Sequence, residues 1–226
     1  MAIQLKNICK SFGDKQVLQN INLTLHTGVI TCLMGASGIG KTTLVNILAG
    51  TLQADSGEII WPDNHRHVSV VFQEDRLLEW ETALTNVLFV TNSTNIKYSN
   101  IDSNRACLSL KKSLIPDIFQ LRQAHMNQKL LYAKQLLTQA GLADSINKKV
   151  AELSGGMKRR VSICRALISQ SNLLILDEPF KGLDSETKLL IMNMVKQHLR
   201  KYMLCVTHDA SELEFMGGKL ITLDFS

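Results

Sequence analysis

The chain has 226 residues, 45% of them hydrophobic and 20% charged, enough for one sizeable core or a core with a small subdomain, and too apolar for disorder to be its main state. Lys and Arg number 25 against 20 Asp and Glu, a formal +5 that suits an acidic ligand, a membrane surface or nucleic acid without choosing among them. The five cysteines are scattered without a C-x-x-C pair, as in a reduced, intracellular protein, and no run approaches the roughly 18 apolar residues of a membrane helix.

In chain order, Val17-Leu18 and "INLTL" (21–25) alternate apolar and polar residues around turn residues, as half-exposed antiparallel strands do. "VITCLM" (29–34) follows as a buried strand, and Leu44, Ile47 and Leu48 then fall on one helical face. "VSVVF" (68–72), "LLILD" (173–177) and "MLCVT" (203–207) are further buried strands. Leu189, Met192, Val195 and Leu199 mark a helix between the last two. Alternating strands and helices predict a parallel sheet covered by helices, with an antiparallel edge layer.

From about Leu77 to Leu153 the chain departs from that rhythm. "TNSTNIKYSNIDSNR" (91–105) is rich in Asn and Ser with little to bury, and predicts a long loop or inserted segment. Leu130, Leu131, Lys134, Leu137 and Ala140 then keep helical spacing, and Gly141 supplies the stop. No internal repeat is visible. The expected organisation is one domain, with a core over about 1–76 and 155–226 and a helical subdomain over about 77–154.

"GASGIGKTT" (35–43) matches G-x-x-x-x-G-K-[ST] between a predicted strand and a predicted helix, the context that motif requires. Across Gly35, Ala36, Ser37, Gly38, Ile39, Gly40, Lys41, Thr42 and Thr43 the glycines would let the backbone wrap a triphosphate. Lys41 would reach the β- and γ-phosphates, and Thr42 would offer its hydroxyl to Mg2+. "LLILDEP" (173–179) ends its strand on Asp177, which suits the magnesium, and on Glu178, which suits polarisation of the attacking water. A second cradle lies at "ELSGGMKRR" (152–160), where Ser154, Gly155 and Gly156 open a helix whose N–H groups suit another phosphate.

With these residues in this order the chain resembles an ATP-binding cassette (ABC) ATPase, a P-loop NTPase of RecA-like α/β fold with an inserted α-helical subdomain. The resemblance implies ATP as ligand and two cassettes paired head to tail, so that Ser154, Gly155 and Gly156 close over the γ-phosphate held by the partner's loop. It implies an adenine-stacking role for Phe12, although a lone Phe after a strand also suits a core position. Gln73 is similar to the glutamine that touches magnesium and water. His208 resembles the histidine that bonds the γ-phosphate and orients Glu178, and Asp184 the aspartate that crosses the dimer interface.

The span from Gln73 to Ser154 is too short for the long coiled coil of DNA-acting relatives, and the ribosome-acting type carries two cassettes where this chain has one. The resemblance therefore implies an ATPase subunit of a membrane transporter, cytoplasmic and peripheral on the inner face of the cell membrane. Its expected partners are transmembrane permease subunits, a second ATPase subunit and, for an importer, a substrate-binding protein; nucleic acid is not expected. "FQEDRLLEWETALTNV" (72–87) is similar to the "LLPW" segment of nitrate, sulfonate and taurine importers, with Trp80 at the permease contact. Glu79 stands where proline is usual, and "EPFKGLD" where "EPFGALD" is commoner, so a two-part exporter stays open. The spacing implies a trimmed edge sheet around 57–67 and extra material within 91–128. The chain ends soon after His208, without length for a C-terminal regulatory domain. His65 and His67 form an H-x-H pair without an apparent third ligand, and the basic pairs at 111–112, 148–149 and within "MKRR" suit solvated helix faces.

Overall fold

Strands whose every residue is apolar need cover on both faces, and the two most apolar runs lie at the centre of the sheet. The computed structural model describes residues 1–62, 66–91 and 114–222, with the backbone alone for 114–125. Its elements in chain order are β1 (Ala2–Phe12), β2 (Lys15–His26), β3 (Ile30–Met34), α1 (Lys41–Leu48), β4 (Ser56–Ile60), β5 (Val68–Val71), α2 (Ala83–Phe89) and α3 (Leu114–Gln139). There follow α4 (Gly155–Ile168), β6 (Leu173–Asp177), α5 (Ser185–Gln197), β7 (Tyr202–Val206), α6 (Ala210–Met216) and β8 (Lys219–Thr222).

Five strands form a parallel sheet in the order β5-β6-β7-β3-β8, and every residue of β6 and β7 is buried. Because side chains alternate along a strand, this sheet feeds two cores. Leu173, Ile175, Leu204 and Val206 join a cluster with Leu44 and Leu48 of α1 and with Ile3, Leu23 and Leu25 of the antiparallel layer. Leu174, Leu176, Met203 and Cys205 face the other way, onto Val87, Leu136, Leu137, Val161 and Ile163. Helices α2, α3 and α4 thus share one continuous apolar cluster with the sheet. All the parallel strands point to one edge, so the loops after β3, β5, β6 and β7 gather there, where open α/β sheets bind ligands.

The antiparallel layer has the order β2-β1-β4, three strands among the described residues. The two apolar stretches anticipated at 17–18 and 21–25 are one twelve-residue strand, paired with β1 from Ala2↔His26 to Phe12↔Lys15. Register shifts between Leu5 and Ile8 accommodate Asn7 at φ 51°, and Gly57 passes so close that a Cβ there would lie 2.4 Å from the Asn7 carbonyl oxygen.

Periodicity misassigned two helical faces. In α5, Met192 and Val195 are buried as expected, but Leu189 is half exposed and Leu199 lies beyond the helix end in solvent; Ile191 and Met194 complete the buried stripe. The inward residues are Ala133, Leu136 and Leu137 of α3 and Ala140 just after it, while Leu131 is 60% exposed. The stop at Gly141 holds, with φ 70°. Of the cysteines, Cys32, Cys164 and Cys205 are buried, Cys9 is partly exposed and Cys107 lies outside the described residues, as do 92–105 of the polar segment and His65.

Candidate functional site

β3 delivers the chain into the glycine-rich loop, and α1 starts immediately behind it. Gly40, at φ 104°, is the residue before the helix; a Cβ there would meet Leu18 Cδ2 at 2.7 Å and the Val17 carbonyl oxygen at 2.9 Å. No side chain caps this N-terminus and its first turn holds no acid, so the first N–H groups and the positive end of the helix dipole face the loop. Lys41 is buried, and its Nζ donates to the carbonyls of Gly35 (2.9 Å) and Ala36 (2.8 Å). Burial lowers its pKa against the opposing pull of Glu178 and Asp177. The loop therefore closes around its own ammonium.

A cleft of about 290 Å³ opens in front of the loop, lined by Ser37, Lys41, Thr42, Gln73, Asp177 and His208, among others. Asp177, at the end of β6, is 2% exposed and accepts a hydrogen bond from Thr42 Oγ1 at 3.2 Å. Burial pushes its carboxyl above the usual carboxylate range, against the Thr42 hydrogen bond. A buried carboxylate beside a hydroxyl and the Gln73 amide offers hard oxygen donors with a single full charge. That set fits a magnesium ion that keeps several waters. Among the described residues there is no cluster of three His, Cys, Asp or Glu of the kind that holds a transition metal.

Glu178 adopts φ 47°, a left-handed conformation costly for a residue with a side chain, and its N–H donates to the Val206 carbonyl at 2.9 Å. Its carboxylate is gripped at both oxygens: His208 Nε2 lies 2.7 Å from Oε1 and Lys181 Nζ 2.9 Å from Oε2. Burial alone would raise this carboxyl, but Lys181 and His208 outweigh it and hold the group below the usual range. The turn after β6 thus presents one carboxylate to Thr42 and the next to His208.

The remaining candidates lie outside that cleft. Phe12, at the end of β1, is 51% exposed with the Lys10 ammonium 5.6 Å from its ring centroid, so it is not a core residue. Ser154 caps α4, its Oγ accepting from the Met157 N–H at 3.3 Å, and Gly155 is exposed with no atom within 4 Å of where a Cβ would sit. Asp184 caps α5 by accepting from the Thr187 N–H at 2.9 Å. Trp80 is 69% exposed, and Glu79 pairs with Lys158 at 2.9 Å.

Val17 and Lys181 also line the cleft and were not anticipated. The signal for Lys181 was present in "EPFKGLD", where a lysine stands in place of the commoner glycine. "MKRR" corrects the expectation of a solvated face: Arg159 is 5% exposed, Arg160 Nη1 donates to the Ala140 carbonyl at 2.8 Å, and Lys158 is the partner of Glu79. Lys148 and Lys149 are exposed, as expected of a solvated pair.

A strand, glycine loop and helix facing an aspartate at the end of another strand of the same parallel sheet, one strand removed, define a P-loop NTPase. Residues 18–181 match the ABC transporter family, and the chain belongs to that family as one of its ATP-hydrolysing cassettes. It is 36% identical to an aliphatic sulfonates import ATP-binding protein of Corynebacterium glutamicum, over 99% of this chain and 80% of that protein. The taurine import ATP-binding protein of Escherichia coli O157:H7 is 33% identical over 98% of the chain and 79% of its own length. The bicarbonate transport ATP-binding protein of a Synechocystis strain is 32% identical, over 98% of the chain and 73% of its own length. Among solved structures, the dimeric bacterial ABC transporter cassette MJ0796 superposes with a TM-score of 0.75 at 29% identity, over 98% of this chain and 94% of that one. A post-hydrolysis form of the same cassette, bound to ADP and Pi, gives 0.74 at 28% over the same shares. No described helix is long and apolar enough to cross a membrane.

Proposed function

We propose that the chain is the nucleotide-hydrolysing subunit of an ABC importer for a small solute of the kind its relatives handle, working as a head-to-tail dimer beneath two permease subunits. The observation that carries the chemistry is the pair of consecutive carboxylates, one on Thr42 and the other held by His208, across the cleft from Lys41. The import assignment rests on the near full-length likeness to import ATP-binding proteins.

In this reading Lys41 exchanges the Gly35 and Ala36 carbonyls for the β- and γ-phosphate oxygens, and the N–H groups of 35–43 complete the cradle. Thr42, Asp177 and Gln73 would hold a magnesium ion, which would supply neutralisation of phosphate charge. Glu178 accepts the proton of a water whose oxygen attacks the γ-phosphorus while the bond to the ADP oxygen breaks. His208 fixes the carboxylate and turns its other edge to the γ-phosphate. Phe12 stacks on adenine, Asp184 lies across the dimer interface, and Ser154, Gly155 and Gly156 supply donors to the partner's nucleotide. Residues 1–76 and 155–226 act as the core and 77–154 as the helical subdomain, whose exposed Trp80 meets the permease on the inner face of the membrane. A substrate-binding protein would complete an importer.

The test is mass in solution with ATP and magnesium. Glu178→Gln should keep ATP, lose hydrolysis by roughly a hundredfold to ten-thousandfold and run as a dimer. Adding Ser154→Arg should leave a monomer that still binds ATP. Hydrolysis at the unaltered rate in Glu178→Gln would remove Glu178 from the mechanism, and a dimeric double variant would overturn the head-to-tail reading.

A further inference from the structure

Arg159 is a charged side chain that is 5% exposed and does not line the nucleotide cleft, yet most of its hydrogen bonds run to the backbone of the residues that flank that cleft. Nη1 donates to the Phe72 carbonyl at 2.5 Å and to Asp75 Oδ1 at 3.1 Å, while Nη2 donates to the Gln73 carbonyl at 2.9 Å and to the Glu178 carbonyl at 3.2 Å. One planar fork therefore ties three separate elements together: α4, the turn after β5 and the turn after β6. Its neighbours on α4 hold the same turn from further along: Ser162 Oγ donates to the Asp75 carbonyl at 3.4 Å, and Arg165 donates to the carbonyls of Asp75 and Arg76, each at 2.8 Å. Only a guanidinium has the donors and the rigid geometry for such a set.

The two backbone oxygens nearest the chemistry belong to Gln73 and to Glu178. Glu178 is also the residue in the left-handed conformation, so its side-chain direction depends on what pins its peptide. Arg159 lies in the second turn of α4, the helix that Ser154 caps. A helix moves as a rigid body over so short a length, so a shift at Ser154 is carried to the guanidinium and from it to both carbonyls.

We infer that Arg159 is a positioning residue for hydrolysis, a strut by which the helix headed by Ser154 fixes the Gln73 and Glu178 side chains relative to each other. The inference rests on the assignment of Glu178 and Gln73 to the hydrolytic step. Arg159 does not line the cleft; it acts through the two peptides.

Purified full-length chains carrying Arg159→Met, Arg159→Lys, Glu178→Gln and the Arg159→Met/Glu178→Gln pair are compared for circular dichroism, stoichiometry of bound ATP, kcat and KM. Arg159→Met should lower kcat at least tenfold with KM for ATP within twofold and full ATP stoichiometry. Arg159→Lys, which keeps the charge and reaches some of the carbonyls, should recover part of that loss. In the Glu178→Gln background Arg159→Met should lower kcat less than twofold further, because the geometry it fixes between the Gln73 and Glu178 side chains serves the carboxylate that is gone. A folded Arg159→Met protein with kcat within twofold of the unaltered chain overturns the strut. So does a loss of kcat that tracks loss of bound ATP, which marks a purely structural role. If Arg159→Met does not fold, Arg159→Lys decides alone: a lowered kcat at unchanged KM supports the strut, and an unchanged kcat overturns it. Glu178→Gln with undiminished kcat removes the hydrolytic assignment itself, and that result is separate from the behaviour of Arg159.

Discussion

The two candidate phosphate cradles of this chain are both helix N-termini, and they are built in opposite ways. α1 begins behind a left-handed glycine with no side-chain cap and no acid, and its lysine is drawn inward onto the loop carbonyls. α4 begins behind Ser154, whose hydroxyl already satisfies the Met157 N–H, and the turn stands exposed beside two glycines. An uncapped N-terminus leaves donors free for water or a ligand, whereas a side-chain cap already satisfies one of them with nothing bound. The first cradle is therefore complete within one chain, with its cation and both carboxylates in place. The second has a stable helix start exposed at the surface, as a turn that serves another molecule's phosphate would be.

The sharpest way to break this contrast is to disable each cradle in turn. Lys41→Ala should abolish ATP hydrolysis and weaken ATP binding, because the only buried ammonium facing the cleft among the described residues is lost. Ser154→Arg should abolish hydrolysis with nucleotide affinity within about twofold, read by titration with a fluorescent ATP analogue and by phosphate release. Equal losses of affinity in both variants would show that the second cradle serves the chain's own nucleotide.

A smaller effect separates the two helix starts by stability. Gly40→Ala places a Cβ against Leu18 and the Val17 carbonyl at a left-handed position, and should cost roughly 2–4 kcal/mol in urea unfolding. A loss under about 0.5 kcal/mol would show that the loop relaxes freely. The smallest change is at the other cradle: Ser154→Ala removes one exposed capping bond and should cost about 1 kcal/mol in the same measurement, without altering the midpoint slope.

Much of this was legible beforehand because the residues concerned are contiguous or end a recognisable strand. The nine residues at 35–43 need only one strand before them and one helix after, and β3 and α1 supply both. Asp177 and Glu178 follow a run that burial on both faces makes unmistakable. The failures lie where periodicity is the only guide. Leu131, Leu189 and Leu199 keep helical spacing with residues that are buried, but spacing says which side chains share a face and not where the neighbouring element stops. Arg159 was assigned to solvent by the same logic, since charged residues on a helix are usually exposed.

What the sequence determined by itself was the alternation of the buried strands at 29–34, 68–72, 173–177 and 203–207 with helices, the local shape of the loop at 35–43 and the chemistry available at its ends, because each depends on residues close together in the chain. The tertiary structure alone decided which side chains meet. Thr42 reaches Asp177 across 135 positions, and Arg159 reaches Phe72 across 87. Lys181, three residues from Glu178, needed the left-handed turn after β6 before its ammonium could meet that carboxylate. Such pairings follow from the stacking order β5-β6-β7-β3-β8, which brings four distant strand ends to one edge, and no local pattern of apolar and polar residues encodes that order.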